Sequence, residues 1–349
     1  MGIKDYLAQA MALDASDLHI TTGEPPILRI DGVLVPIGET PLTYDDTRKM
    51  TKEALNPERF AQLDAAGEQD FALGLSGVGR FRVNAYKQRG SYSLAFRTVH
   101  SDIPAMEKLG LPPAAQELTQ KKRGLVLVTG ATGSGKSTTL AAMIDRINSE
   151  RSCHIITLED PIEYLHRHKN SMVNQREVGS DTESFTSGLR AALREDPDVI
   201  LVGEMRDLDT ISIALTAAET GHLVLSTLHT MGAANTVDRI IDIFPPNQQP
   251  MVRVQLAEIL NGIIYQQLIK RSDTKGRVGA FEVMIATNAI RNLIREGKTH
   301  QIQSNIQTGA KFGMQTMDNA LTDLCHRGLI SRDSALTYSF DYNYIKTQL

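Results

Sequence analysis

The spacing of hydrophobic positions changes near residue 123 of the chain. Before that point, apolar and polar residues alternate in short stretches, and Phe81, Val83 and Ala85 lie on one side of a predicted strand. Beyond it, strands made almost wholly of Val, Ile and Leu alternate with helical patterns, as in a parallel sheet that is buried on both faces. We therefore predict an α/β fold preceded by a smaller α+β domain. The predicted boundaries are 1–99 for the first domain, 100–122 for an interdomain linker and 123–349 for the second domain.

The first domain is predicted to form an antiparallel sheet with two helices. Apolar runs flank Asp31-Gly32, which is the strongest short signal for a hairpin. Thr43 is a suitable cap for a helix that continues to about residue 55 and that Pro57 ends. The remaining predicted elements are a helix at 3–11 and strands at 81–86 and 92–99.

The second domain is predicted to alternate strands and helices. Its predicted strands are 125–129, 154–158, 199–202 and 223–227, with two more near 263–269 and 278–284. Its predicted helices are 138–147, 183–194 and 208–219, and helical patterns fill most of 249–261 and 288–337.

A glycine-rich turn joins the strand at 125–129 to the next helix. Residues 130–137 match the pattern G-x-x-x-x-G-K-[ST] in full, between a strand and a helix as that motif requires. Backbone N–H groups of such a loop cradle phosphates, Lys136 can reach the β- and γ-phosphates, and the Ser137 hydroxyl can bind Mg²⁺. The sequence thus predicts a nucleoside triphosphate site. Its predicted contacts are Thr132, Gly133, Ser134, Gly135, Lys136, Ser137 and Thr138.

Acidic residues follow two of the buried strands. Glu204 comes just after the strand at 199–202, where nucleotide hydrolases present an acid to Mg²⁺ or to the attacking water. The alternative is a core strand followed by a solvated acid, and the preceding phosphate loop favours the functional interpretation. Glu159, Asp160 and Glu163 follow the strand at 154–158, and a carboxylate there could orient and deprotonate water. Acids at a helix start would explain that pattern equally well.

Two histidines and three arginines are further candidates. His222 and His229 flank the strand at 223–227 and lie roughly 23 Å apart at ~3.3 Å per residue, too far to share a zinc ion unless the chain folds back. One or both could bind phosphate oxygens, although a histidine near a strand end more often has a structural role. Arg80, Arg82 and Arg97 could act as arginine fingers, but a solvated strand face is the better interpretation of their spacing alone.

Composition narrows the class of protein. Lys and Arg number 37 against 41 Asp and Glu, a net charge of -4 without a basic block, which does not favour non-specific binding of nucleic acid. Cys153 and Cys325 are not spaced as metal ligands or as a disulfide framework, which fits a reducing compartment. We find no export signal and no apolar run approaching the ~18 residues of a membrane span. We therefore expect a cytoplasmic or membrane-peripheral protein.

Five motifs together resemble the secretion and type IV pilus ATPase superfamily, most closely the PilT-type pilus retraction ATPases. They are the Walker A loop 130–137, the Asp box 157–164, the Walker B region 203–207, the His box 220–230 and the AIRNLIRE segment 289–296. The resemblance covers essentially all of the 349 residues. Two departures are Ala131, where proline is common, and Leu225-Ser226, where an aromatic residue and glycine are frequent.

The resemblance implies a PAS-like first domain, a RecA-like P-loop NTPase domain and a homo-hexamer that hydrolyses ATP with Mg²⁺. It implies that Glu204 is the Walker B acid, which binds Mg²⁺ with Ser137, and that Glu163 is the catalytic base. It further implies that His222 and His229 sense the nucleotide, and that Arg82 and Arg97 act on a neighbouring subunit, with Arg80 less certain. The residues it assigns to force transmission are Ala289, Ile290, Arg291, Asn292, Leu293, Ile294, Arg295 and Glu296.

The partners that the resemblance implies are an inner-membrane pilus platform protein and a paralogous retraction ATPase, without nucleic acid or zinc. The location it implies is the cytoplasmic face of the inner membrane. Assembly ATPases usually have an extra N-terminal domain and a tetracysteine zinc element, and their absence here favours retraction. The alternatives are a PilU-like accessory motor, a secretion ATPase, a RecA-like nucleic-acid translocase and a nucleotide-gated interaction module.

Overall fold

The computed structural model describes residues 2–30, 32–99 and 102–349. The chain forms two compact units, one of Met1–Asp102 with Glu163–Leu165, the other of Ile103–Ile162 with His166–Leu349. The first unit is α+β and the second has a mainly parallel sheet, as the hydrophobic pattern predicts. Within the described part of the chain, no helix is both long enough and apolar enough to cross a bilayer.

The first unit contains a six-stranded antiparallel sheet in the order β3-β2-β1-β6-β5-β4. Its strands are β1 Asp17–Ile20, β2 Ile27–Ile30, β3 Val33–Pro36, β4 Glu68–Leu75, β5 Gly79–Gln88 and β6 Ser91–Val99. Its helices are α1 Ile3–Ala12, α2 Tyr44–Ala54 and α3 Pro57–Ala66. Ile30 pairs with Val33, which confirms the predicted hairpin, although Asp31 itself lies outside the described residues.

The core of the first unit confirms the predicted alternation. Phe81, Val83 and Ala85 are fully buried and pack with side chains of α1, α2 and the other strands. The Thr43 hydroxyl accepts a bond from the Asp46 N–H at 3.2 Å and caps α2, as predicted. Pro57, however, not only ends α2 but is also the first residue of α3. The N–H groups of a first helical turn have no partner within the helix, so proline, which has no N–H, is well tolerated there.

The second unit contains a seven-stranded sheet in the order β13-β12-β7-β11-β10-β8-β9, in which β13 runs antiparallel to β12 and the other pairs are parallel. Its strands are β7 Gly124–Thr129, β8 His154–Glu159, β9 Met172–Glu177, β10 Val199–Val202, β11 Leu223–Leu228, β12 Leu260–Lys270 and β13 Arg277–Ile285. Its helices are α4 Pro113–Glu117, α5 Lys136–Glu150, α6 Phe185–Ala192, α7 Leu208–Glu219, α8 Ala233–Asp242, α9 Gln249–Ile259, α10 Asn288–Arg295, α11 Ile302–Thr308, α12 Met317–His326, α13 Arg332–Tyr338 and α14 Tyr342–Gln348.

Both faces of this sheet are covered. Leu125 and Leu127 of β7 point into one hydrophobic core, and Val126 and Val128 point into the other. β7 and β10 are almost wholly apolar for this reason, which is what made them recognisable in the sequence. Because β7, β11, β10 and β8 are parallel, their carboxyl ends meet at one edge, where open α/β sheets bind ligands.

The segment expected as a linker, 100–122, packs with the second unit from Ile103 onward. Met106, Leu111, Ala115 and Leu118 are buried in the core on the α5 side of the sheet. His100 and Ser101 lie outside the described residues. The prolines break the helical periodicity of this segment, but its apolar side chains still fill a core, and spacing alone did not reveal that.

Candidate active site

The loop between β7 and α5 curls through backbone angles that require glycine. At Gly130 φ is 144°, and a Cβ there would lie 2.5 Å from the Gln266 carbonyl oxygen. At Gly135, where α5 begins, φ is 90°. Both conformations are rarely open to other residues, so the loop can wrap tightly around a ligand. The strand, loop and helix predicted around this motif are confirmed.

Lys136 lies inside the loop and is only 8% exposed. Its Nζ donates to the carbonyl oxygens of Gly130 and Ala131, at 2.9 Å each. Thr132 and Gly133 are exposed at the loop tip, and Ser134 is buried. The ammonium group is therefore held where the loop backbone converges, which is where a phosphate would be bound.

Glu204, Arg206 and His229 form a cluster at the carboxyl ends of β10 and β11. Arg206 Nε lies 2.7 Å from one Glu204 carboxylate oxygen, and His229 Nε2 lies 3.6 Å from the other. Burial lowers the pKa of His229, and the nearby charge of Lys136 lowers it further. His229 is thus neutral near pH 7, and it lies close enough to Lys136 for the charge of the lysine to affect its pKa. This arrangement gathers the predicted Walker B acid and one predicted sensor beside the phosphate loop.

The oxygen ligands available there fit Mg²⁺. Ser137 is half-buried in the first turn of α5, and the Glu204 carboxylate is 13% exposed. A hydroxyl and a carboxylate, completed by water and phosphate oxygens, are the set that Mg²⁺ takes in nucleotide sites. Across the described ranges, no group of three or more His, Cys, Asp or Glu residues could hold a metal ion by itself.

His222 lies at the opposite edge of the sheet from the phosphate loop of its own chain. It precedes β11, and its carbonyl oxygen accepts a bond from the N–H of Gly124, the first residue of β7, at 2.9 Å. The His222 ring is 2.9 Å from the Ala217 carbonyl oxygen. His222 therefore does not lie beside the phosphate loop of its own chain, since β11 separates it from His229 by roughly 20 Å, and its role as a nucleotide sensor stays a prediction.

Among the acids after β8, Glu159 and Glu163 have different surroundings. The Glu159 carboxylate accepts bonds from the Thr157 hydroxyl at 2.7 Å and the Gln175 amide at 3.1 Å. Glu163 is exposed and lies a few residues beyond the carboxyl end of β8. The Asp160-Pro161 bond between them is cis. Glu159 is thus committed to neighbouring side chains, whereas Asp160 and Glu163 are both exposed, and the role of Glu163 as the base stays a prediction.

Arg82 and Arg97 lie directly opposite each other on β5 and β6 of the first unit. Arg97 Nε donates to the Asp17 carboxylate at 3.0 Å while its side chain stays 72% exposed. Burial opposes ionisation of Asp17, but the Ser16 hydroxyl and Arg97 hold its pKa below the usual value. Asp17 offsets the repulsion expected of two facing cations. The sheet thus presents two arginines side by side. Arg80 lies on β5 as well, two residues before Arg82.

The segment 289–296 forms most of α10. One of its side chains makes hydrogen bonds that connect α10 to α9. Ile290 and Ile294 are fully buried and form the face of α10 that packs into the core. The Arg291 guanidinium donates to the carbonyl oxygens of Ala257 and Glu258 at the end of α9, the second at 2.6 Å. The exposed residues of the segment are Ala289, Asn292, Arg295 and Glu296.

Several residues near the loop were not singled out from the sequence. The Gln266 amide of β12 donates to the Ser134 carbonyl oxygen at 2.7 Å, and Gln266 is only 2% exposed. A buried glutamine in an otherwise apolar strand is a signal that the sequence did contain. A cavity of about 350 Å³ lies between the loop and the segment 337–340, and Tyr265 stacks on Phe340 beside it at 5.5 Å between ring centroids.

Glu282 of β13 supports the element that follows His229. The buried Glu282 carboxylate accepts a bond from the Ala233 N–H at 2.8 Å, at the start of α8, and one from Gln303 of α11 at 3.3 Å. Burial raises the pKa of Glu282, and these bonds oppose the rise. The Glu282 side chain thus connects the segment after His229 to the C-terminal helices.

The fold and site are those of a P-loop nucleotide hydrolase. A family model described as type II/IV secretion system protein matches residues 2–329, and the chain belongs to this family. It is 51% identical to the type IV pilus retraction ATPase PilT of Pseudomonas aeruginosa, over 96% of this chain and 97% of that protein. It is 48% identical to a twitching motility protein of Neisseria gonorrhoeae, over 93% of this chain and 88% of the other. The crystal structure of the pilus retraction motor PilT with bound ADP superposes with a TM-score of 0.92 at 51% identity and covers 99% of both chains. The resemblance found in the motifs is confirmed.

Proposed function

We propose that this chain is the ATP-hydrolysing motor of type IV pilus retraction and works as a homo-hexamer. The observation that carries the proposal is the convergence of Lys136, Glu204 and His229 at one edge of the sheet. The similarity to PilT proteins over nearly the whole chain supports the same assignment. The motor would act on an inner-membrane platform protein at the cytoplasmic face of the membrane, alone or with a paralogue.

Binding begins at the loop. Backbone N–H groups of residues 133–138 and the N-terminal end of α5 would hold the β- and γ-phosphates, and Lys136 would exchange its carbonyl partners for phosphate oxygens. Ser137 and Glu204 would hold Mg²⁺, which neutralises phosphate charge.

Hydrolysis requires an ordered water molecule and a place for the phosphate charge. Glu163 would orient that water and take its proton. His229 is neutral, so it can hydrogen-bond to the γ-phosphate without carrying a charge into the site. Arg82 and Arg97 would stabilise transition-state charge on a neighbouring subunit. These contributions are positioning and electrostatic, as phosphoryl transfer demands.

Conformational changes at the site would be transmitted through α8 and α10. A change in the His229 contacts would reach the start of α8, which Glu282 connects to α11. Arg291 connects α9 to α10, whose exposed face would transmit the motion to the platform protein. Nucleotide turnover would in this way displace the two units of each protomer against one another.

Two substitutions test the site. We expect Lys136→Ala and Glu204→Ala to lower ATP turnover by about 100-fold or more while the fold persists, because each removes charge stabilisation of the phosphates. The measurement is phosphate release by the purified protein, with circular dichroism as a check of folding. Turnover near the wild-type rate in either variant would refute this site.

Deletion of the gene in its host tests the direction of the motor. Loss of retraction should leave long pili that do not retract. Cells without pili would indicate an assembly or secretion motor, and normal retraction would indicate an accessory role. A further assay adds DNA to the purified ATPase, and stimulation by DNA would contradict the pilus assignment in favour of a nucleic-acid translocase.

A further inference from the structure

The edge strand β9 lies beside β8 and carries two polar side chains that face the segment after β8. In the register of the parallel pair, Gln175 lies next to Thr157 and Glu177 lies next to Glu159. Neighbouring residues in register point to the same face of a sheet, so these four polar side chains form one row. The row ends where the segment containing Glu163 begins.

Both ends of that segment are hydrogen-bonded to β9. The N–H of Ile162 donates to Glu177 Oε2 at 3.2 Å, and the N–H of His166 donates to Gln175 Oε1 at 2.8 Å. Residues 163–165 lie between these two bonds. Two side chains of one strand therefore fasten the backbone on either side of Glu163.

The nitrogen of the Gln175 amide also makes a hydrogen bond. Its Nε2 donates to Glu159 Oε1, which also accepts from the Thr157 hydroxyl. Gln175 therefore cannot turn its amide without losing a bond at each end. Glu159, in this arrangement, orients Gln175.

Burial makes these bonds costly to lose. Ile162 is 1% exposed and Glu177 is 6% exposed, so water cannot readily replace either partner. A buried N–H left without an acceptor costs about 1–3 kcal/mol. A three-residue segment fixed at both ends also has few conformations available. The two bonds from β9 therefore fix the backbone at Ile162 and His166, on either side of Glu163.

We propose that Gln175 and Glu177 are positioning residues that clamp the segment 163–165 and so place Glu163 to activate the water molecule that attacks the γ-phosphate. This inference rests on the proposed role of Glu163 as the base. The clamp itself consists of the hydrogen bonds from the N–H groups of Ile162 and His166. The protection of these N–H groups can be measured independently of catalysis.

The kinetic test replaces the two side chains by methionine, which has similar length and no strong acceptor. We expect Gln175→Met and Glu177→Met to lower kcat about tenfold or more with the KM for ATP within about twofold, because misplacing a catalytic group slows chemistry without weakening binding at the phosphate loop. Glu177→Gln keeps an acceptor oxygen and should restore most of kcat. Asn174→Ala is the control, since Asn174 lies on the same strand and is exposed.

The structural test is hydrogen exchange of peptides covering residues 161–167, followed by mass spectrometry on the same proteins. Exchange should be faster in both methionine variants and unchanged in Asn174→Ala. Unchanged exchange in both methionine variants would overturn the clamp. Faster exchange with wild-type kcat, while Glu163→Gln is inactive, would overturn its positioning role.

Failure of the base assignment can be recognised separately. If Glu163→Gln turns over ATP at the wild-type rate, Glu163 is not the base, and faster exchange would then still support the clamp on the segment. If Glu163→Gln retains a low but measurable kcat, adding Gln175→Met to it should lower kcat no further, since both changes act through one group. Should a methionine variant fail to fold, Gln175→Ala and Glu177→Ala provide the same comparison.

Discussion

At the scale of single residues, the loop shows two different requirements for glycine. A Cβ at residue 130 would meet the Gln266 carbonyl oxygen at 2.5 Å, whereas a Cβ at residue 133 would meet nothing within 4 Å. Both residues have positive φ, of 144° and 77°. Gly130 is therefore required by space as well as by conformation, and Gly133 by conformation alone.

This difference predicts unequal effects of alanine. Gly133→Ala should cost about 1 kcal/mol of stability from backbone strain, and Gly130→Ala should cost more and abolish ATP binding because the loop must shift. Thermal unfolding and nucleotide titration of the two variants measure both effects. Equal losses would contradict the close approach at residue 130.

His166 predicts a dependence of stability on pH. Burial lowers its pKa from 6.5 to about 4, and the charge of Asp145 opposes that shift. An unfolded histidine titrates near 6.5, so between these values the unfolded state binds more protons than the folded one. The free energy of unfolding should therefore fall by roughly 2–3 kcal/mol as pH drops from 6.5 towards 4, and should be constant above that window.

The check is the thermal midpoint of the wild type and of His166→Gln at pH 7 and pH 5. The variant should lose less stability across this interval, since it has no group to protonate. His300→Gln, at an exposed histidine, serves as the control and should behave like the wild type. Parallel pH curves for the wild type and His166→Gln would contradict the burial effect.

At the scale of elements, a continuous apolar run or a clear alternation made a strand predictable, as in β10 and β5. β10 was predicted at its observed bounds because every residue in Val199–Val202 is buried. β9 was missed because it lies at the sheet edge, and its sequence, Met-Val-Asn-Gln-Arg-Glu, shows neither an apolar run nor alternation. The clamp on Glu163 was therefore invisible in the sequence.

The residues of the site likewise divide into those with a local sequence signal and those without one. Motif spacing identified Lys136, Ser137 and Glu204, because each is fixed by a local turn or strand end. His222 lies at the amino end of β11, away from the phosphate loop of its own chain, so its role in sensing the nucleotide stays a prediction. Gln266 and Glu282 act over more than 40 residues of sequence, and no local pattern connects them to their partners.

The junction of α9 and α10 predicts a separation of hydrolysis from work. Arg291→Ala should remove two bonds to the end of α9, cost about 1–3 kcal/mol and reduce retraction, while ATP turnover stays within about twofold. Arg332→Ala, at an exposed arginine of α13 outside the segment 289–296, leaves both this junction and the exposed face of α10 intact and is the matched control. Twitching assays and phosphate release measure the two properties. Equal loss of both in Arg291→Ala would contradict the assignment to force transmission.

At the scale of the whole molecule, the facing pair Arg82 and Arg97 predicts cooperation between protomers. If these arginines act on a neighbouring subunit, Arg82→Ala and Lys136→Ala damage different halves of a shared site. Mixed hexamers would then contain some interfaces with both an intact arginine and an intact loop. We expect ATP turnover to reappear when the two inactive variants are mixed and reassembled, and phosphate release measures it.

The two proteins assembled separately are the controls for this experiment, and both should stay inactive. Mixtures no more active than the separate proteins would indicate that Arg82 acts within its own chain or has no catalytic role. The same mixture with Arg97→Ala tests the second arginine, which also has a structural bond to Asp17.

The contacts of Lys136 have a consequence for the speed of the cycle. Its ammonium group already has two carbonyl partners, so an arriving phosphate replaces bonds instead of adding them. Departure of ADP returns the lysine to those partners, and no buried cation is stranded. Nucleotide affinity should accordingly be modest and ADP should leave quickly, which suits a protein that works by repeated turnover more than one that must retain its nucleotide.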